Sequence, residues 1–203
     1  MILYKISPPH CSAYHVINKI FVSLEMGWVY SAFLIKMEYF KIRNNIYAFS
    51  NYGMHLFSNK HINNIEINVD GHTMLFNCVE QYLQYSQAIL FQEFQTAKAI
   101  MKEKNPIKQS WLNKSLRRKY SLHIWYKNLP DILLRGLEAK FQQHKHLKLI
   151  LLQTKDYDLV QACTWDQVFS CGIGLDSPNI WSKQNWTTNL MGETLMKLRE
   201  SWK

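Results

Sequence analysis

Apolar and polar positions along this chain sort first into short alternating runs and then into helical stripes. Tyr39 to Ile46 and Ile65 to Val69 alternate with the period of a strand, and Asp70-Gly71 before Thr73 to Phe76 is a hairpin turn signal. Helical spacing takes over afterwards, over residues 78–91, 93–103 and 106–113. A longer amphipathic piece runs from Asp131 to Gln143, with Leu133, Leu134, Leu137 and Phe141 on its buried face. Pro106 and Pro130 fall where helix starts tolerate proline. A last helix from about Thr188 stacks Met191, Leu195, Leu198 and Trp202. The pattern predicts a helix-rich α+β fold, a single compact domain with a few short strands.

The helix after Asn77 carries the chemistry. Asn77 followed three residues later by Glu80 reads as a capping box. A period of 3.6 puts Val79, Leu83, Ser86 and Leu90 on one mostly apolar stripe and Glu80, Gln84, Gln87 and Phe91 on another. A single acid therefore shares its stripe with two amides. Position alone leaves Glu80 two roles, helix cap or pocket carboxylate, and both hold if the cap uses one oxygen.

Composition narrows the partners. In 203 residues, 24 Lys and Arg against 15 Asp and Glu give a net charge of +9, which favours anionic ligands. The strongest basic cluster, Leu116-Arg117-Arg118-Lys119, is too sparse for a dedicated nucleic-acid module. Cys11, Cys78, Cys163 and Cys171 lack the spacing of a zinc ribbon or a disulfide framework, so a reducing, cytoplasmic setting is expected. No H-E-x-x-H motif accompanies His144 and His146, so neither metal nor cofactor is expected. The apolar run Met26 to Ile35 is shorter than the roughly 20 residues of a membrane span, and no membrane association is expected. Residues 1–36 read either as an extension ahead of a domain over 37–203 or as sequence preceding a true start at Met37.

Five or six blocks, in order, resemble the NADAR (YbiA-like) N-glycosidase family. They are Phe57-Ser58-Asn59, Val69-Asp70-Gly71, Val79-Glu80-Gln81-Tyr82, Leu137-Glu138-Ala139-Lys140-Phe141, Leu159-Val160 with Asp166 and Gly172-Ile173-Gly174-Leu175, and Asn189 through Met196. The resemblance implies hydrolysis of an N-glycosidic bond between ribose and an amino nitrogen. Expected substrates are small ribosyl phosphates, as in early riboflavin-pathway intermediates, or ADP-ribosyl groups; nucleic acid would enter only as an ADP-ribosylated substrate. It implies catalytic roles for Glu80 and Asp166, and substrate contacts from Phe57, Asn59, Gln81, Tyr82, Gln87, Lys140, Gly172, Gly174, Asn189 and Gly192.

Each of these residues also has a plain local reading. Asp166 and Asn59 suit turns, Asn189 suits a helix start, and Gly172-Ile173-Gly174 is a tight loop as readily as a phosphate cradle. Trp165, Trp181 and Trp186 either stack a flat heterocycle or pack the core. The chain also departs from the family. Gln87 stands where a lysine is usual, Phe169-Ser170 where Trp-Gly is usual, Glu138 where an arginine is common, and Thr187-Thr188 where Gly-Gln is usual. Either Lys140, Lys98 or Lys102 supplies the missing amine, or Glu80 alone activates water, or the domain binds a nucleotide-like ligand without cleaving it.

Overall fold

The structure is a computed structural model that describes residues 39–51, 53, 55–114 and 121–203. Residues 1–36 and the basic cluster at 116–119 lie outside the described residues. The first strands correct the sequence reading, which expected one strand over 39–46. Phe40–Arg43 (β1) and Ile46–Ser50 (β2) instead form an antiparallel hairpin. Asn44 and Asn45 both adopt positive φ, 50° and 60°, the turn geometry that matches strand twist and that asparagine tolerates. Ile65–Val69 (β3) and His72–Phe76 (β4) pair as expected through Asp70 and Gly71, at φ 50° and 84°.

Among the described residues six α-helices follow or interleave: Val79–Leu90 (α1), Phe94–Lys102 (α2), Pro106–Lys114 (α3), Leu122–Gln143 (α4), Lys145–Gln153 (α5) and Leu190–Ser201 (α6). Pro130 does not start α4, which runs straight through it. Ser121 caps the true start, its hydroxyl accepting from the Ile124 N–H at 3.4 Å. The buried stripe Trp125, Leu129, Leu133 and Leu137 continues on both sides of the proline. Pro130 is exposed, so the carbonyl one turn back that loses its partner can meet water.

Asp158–Ala162 (β5), between α5 and α6, pairs parallel to β2, giving a three-stranded sheet in the order β1-β2-β5. Tyr47, Phe49 and Leu159 share the main core with Val79 and Leu83 of α1, Leu133 and Phe141 of α4, and Met191 and Leu195 of α6. Ala48, Val160, Cys171 and Ile180 form a smaller cluster. Because β2 and β5 run parallel, Ser50 and Ala162 face each other and both strands end at the same edge.

Two glycines set the helix spacing. A Cβ on Gly136 of α4 would come within 2.9 Å of the Tyr82 ring and 3.0 Å of Val79 Cγ1, so its absence lets α4 lie against α1. A Cβ on Gly192 would collide with the Leu159 carbonyl and the Asn189 side chain, so Gly192 seats α6 on β5.

Candidate functional site

Helix α1 starts one residue later than a capping box on Asn77 requires. Cys78 is the N-cap residue and its side chain caps nothing. The Asn77 N–H instead donates to Gln81 Oε1 at 2.7 Å, and Gln81 Nε2 donates to the carbonyls of Ile100 (3.0 Å) and Glu103 (3.1 Å) at the end of α2. Asn77 Oδ1 accepts from Gln109 Nε2 of α3 at 3.1 Å. Asn77 and Gln81 therefore tie α1 to α2 and α3, and Glu80 is released from capping.

Glu80 is 4% exposed, and amides meet both of its oxygens. Asn59 Nδ2 donates to Oε2 at 2.5 Å and Gln84 Nε2 donates to Oε1 at 2.8 Å. The Glu80 N–H donates to the Asn59 carbonyl at 2.8 Å, so Asn59 grips the helix start by backbone and side chain together. Gln84 is fixed in turn by Asn113 Nδ2 of α3, 2.9 Å from its Oε1 and 2.7 Å from its carbonyl oxygen. Amide donors on both oxygens are what an acceptor-only carboxylate needs when it is withdrawn from bulk water. Gln87, two turns along, is also buried, and its amide has no hydrogen-bond partner among the described residues.

The loop that delivers Asn59 is held from α4. Lys140 has no exposed surface, and its Nζ donates to the carbonyls of Leu56 (2.7 Å) and Ser58 (2.9 Å). Burial pushes the amine down to about 7, against a small opposing effect of Cys78. Ser58 Oγ donates back to the Asn51 carbonyl at 3.0 Å, tying Ser58 to the end of β2. His55 packs against the rings of Phe49 and Phe57, which also touch each other. Its Nδ1 accepts from the Phe57 N–H at 3.1 Å, which leaves Nε2–H to donate to Tyr47 Oη at 3.2 Å. Burial first, then the charges of Lys140 and His61, push the imidazole down to about 3.

The remaining residues singled out in the sequence are dispersed. Phe57 and Tyr82 are core residues, with edge-on ring contacts to Phe49 and Phe76 at 5.7 and 5.2 Å. Asn189 spends its amide on β5, Nδ2 donating to the Leu159 carbonyl at 2.8 Å and Oδ1 accepting from the Gln161 N–H at 3.1 Å. With Gly192 it forms the α6–β5 joint. Asp166 closes an Asx turn, one oxygen accepting from the N–H groups of Val168 (3.1 Å) and Phe169 (3.0 Å). Gly172 takes φ 75° in the same loop, where a Cβ would press on the Thr187 hydroxyl at 2.9 Å. Lys98 and Lys102 are exposed on α2.

A cleft of about 320 Å³ opens at the edge where β2 and β5 end, and Gly174 lines it together with Asn51, Cys163 and Trp165. Trp181 and Trp186 pack against the small cluster, whereas Trp165 is 74% exposed. Sequence reasoning missed Asn113, His55 and Asn51. Asn113 acts through Gln84, remote in sequence; His55 bonds locally to Tyr47 and Phe57, and Asn51 follows a strand end that the sequence reading did not place.

Among the described residues, no group of three or more His, Cys, Asp and Glu side chains is placed to hold a metal, and no helix is long and apolar enough to cross a membrane. The fold is that of the Escherichia coli protein YbiA, whose NMR structure superposes with a TM-score of 0.58 at 23% identity, covering 79% of this chain and 87% of YbiA. The chain is 29% identical to N-glycosidase R617 of Acanthamoeba polyphaga mimivirus over 150 residues, which is 73% of this chain and 88% of that protein. It is 32% identical to protein irg-1 of Caenorhabditis elegans over 127 residues, 62% of this chain, and spans only 60% of that relative's length. The NADAR domain model matches residues 39–203, from the first strand to the last residue, and the chain belongs to the NADAR domain family.

Proposed function

We propose that this protein is an N-glycosidase that hydrolyses the bond between ribose and an amino nitrogen, with Glu80 as its central carboxylate. Its substrate is a ribosyl phosphate of a pyrimidine amine or an ADP-ribosyl group, a nucleic acid serving only when it carries the latter. The observation that carries the reading is the Glu80 carboxylate, buried and bracketed by Asn59 and Gln84. Similarity to the mimivirus N-glycosidase and the net charge of +9 agree with it. Buried free Cys78, Cys163 and Cys171 suit a reducing, cytoplasmic setting.

In such a reaction the C1′–N bond breaks as an oxocarbenium-like ribose forms, and the oxygen of a water molecule bonds to C1′. A fixed carboxylate beside C1′ stabilises the developing positive charge and takes the water proton, while the departing nitrogen keeps the bond electrons and acquires a proton. Asn59 and Gln84 hold the carboxylate in place before substrate arrives. Lys140 is a positioning residue here, since its amine is spent on loop carbonyls.

The test is release of ribose 5-phosphate from a ribosylamino-pyrimidine phosphate by the purified full chain. Glu80→Gln is expected to reduce it to the buffer blank while thermal unfolding stays close to wild type. A second reading, a module that binds the same ligand without cleaving it, is favoured by one observation: the buried amide of Gln87 where a lysine is usual. Wild-type turnover at the blank together with measurable ligand binding would select that reading.

A further inference from the structure

The cleft at the strand ends is a second feature with its own chemistry. It forms at the C-terminal edge of the parallel pair β2 and β5, where open sheets commonly bind ligands. Its volume, about 320 Å³, lies at the low end for small-molecule sites. Two side chains there make no hydrogen bond among the described residues. Asn51 is 5% exposed, yet its side-chain amide makes no hydrogen bond among the described residues. Trp165 presents 74% of its surface on the rim.

Charge says what the cleft does not take. Among the described residues its lining includes Asp176, which pairs with Lys41 at 2.6 Å, and no lysine or arginine, a set that does not favour phosphate. A primary amide that offers a donor beside an acceptor, next to an exposed indole, fits a flat neutral ring with the complementary edge. We propose that this cleft binds the heterocyclic base of the substrate, Trp165 stacking on its face and Asn51 reading its edge.

A chain of two hydrogen bonds links the cleft to Glu80. The Asn51 carbonyl is held by Ser58, and the next residue, Asn59, donates to the Glu80 carboxylate. A base in the cleft would sit beside the strand end that Ser58 ties to the Asn59–Glu80 contact. The assignment takes its ligand from the N-glycosidase reading, but binding and turnover test the two separately.

The experiment is titration calorimetry of the full chain with guanosine and cytidine, neutral probes of the base end, and with ribose 5-phosphate as a probe of the other end. At least one nucleoside is expected to bind. Trp165→Ala, an exposed position that leaves the core intact, is expected to weaken it about tenfold, in line with the loss of one stacked base. Asn51→Asp, equal in shape but without the amide donors, is expected to weaken it comparably, and neither change is expected to move ribose 5-phosphate binding. Nucleoside affinity unchanged in both variants, or absent from wild type, overturns the assignment even if the enzyme turns over. Nucleoside binding that responds to both variants without any turnover sustains the cleft and removes the glycosidase.

Discussion

At the scale of single residues, the site is an acid whose geometry is written by amides. Glu80 meets Asn59 from a loop and Gln84 from its own helix, and Asn113 fixes Gln84 from α3. The stripe of Glu80, Gln84 and Gln87 was legible in the sequence because helical periodicity alone aligns them. The capping role was not refuted by periodicity; it failed because Gln81, not Glu80, reaches back to the Asn77 N–H. Gln87 is the informative position for activity. Its amide is buried on the Glu80 stripe, without a partner among the described residues, so a lysine there would be desolvated and hold a larger share of its amine neutral. Gln87→Lys is expected to raise kcat about a hundredfold, the low end for a positioned catalytic group. Steady-state kinetics check this, and no change in a folded variant places residue 87 outside the reacting centre.

Elements position these residues through two close approaches. Helices α1 and α4 meet at Gly136, and one turn on from it Lys140 reaches the loop that presents Asn59. Adding a methyl group at 136 favours helix by about 1 kcal/mol but must displace Tyr82 or Val79, at a cost of about 1–3 kcal/mol in a packed core. The cost wins here. Tyr82 is 4% exposed and already held edge-on against Phe76, so the ring has nowhere to go. Gly136→Ala is therefore expected to lower Tm by a few degrees, about 2–4 °C per kcal/mol for a chain of this size, as read by thermal unfolding. A Tm at or above wild type would show that the two helices separate freely.

Element types were largely legible and element ends less so. The Asp70-Gly71 hairpin announced itself by turn chemistry, whereas Asn44-Asn45 made an equivalent turn with two residues that sequence reading had absorbed into one strand. Pro130 looked like a boundary because its cost is local, and the buried stripe from Trp125 to Leu137 overrode it. The parallel pairing of β5 with β2 joins residues more than a hundred positions apart, and no local pattern specifies it. For the same reason the cleft at their shared edge, and the place of Asn51 in it, became visible only in three dimensions.

Across the whole molecule, the buried bases tie stability to pH. His55 is neutral in the fold, with its pKa at about 3, and would take up a proton near 6.5 once unfolded. Stability from this group is complete above pH 6.5 and is lost as pH falls toward 3, because the unfolded chain then binds the extra proton. His61, pushed down chiefly by burial, acts with the same sign. Lys140 acts in a different window: with its pKa at about 7 against 10.5 unfolded, its contribution falls as pH drops from 10.5 to 7 and is level below that. Between pH 7.5 and 5.5 the histidines therefore dominate, ahead of most carboxylate titration. His55 alone is expected to remove about 1.4 kcal/mol of stability over that span. Urea unfolding at the two pH values measures it, and His55→Gln, which keeps a neutral hydrogen-bonding side chain, should flatten the dependence by that amount. An unchanged slope would mean that the imidazole takes up its proton in the fold as readily as in the unfolded chain. The ring set of Phe49, Phe57 and Tyr47 would then tolerate a cation, and the Phe57 N–H next to Ser58 and Asn59 would be held differently from the arrangement on which the site depends.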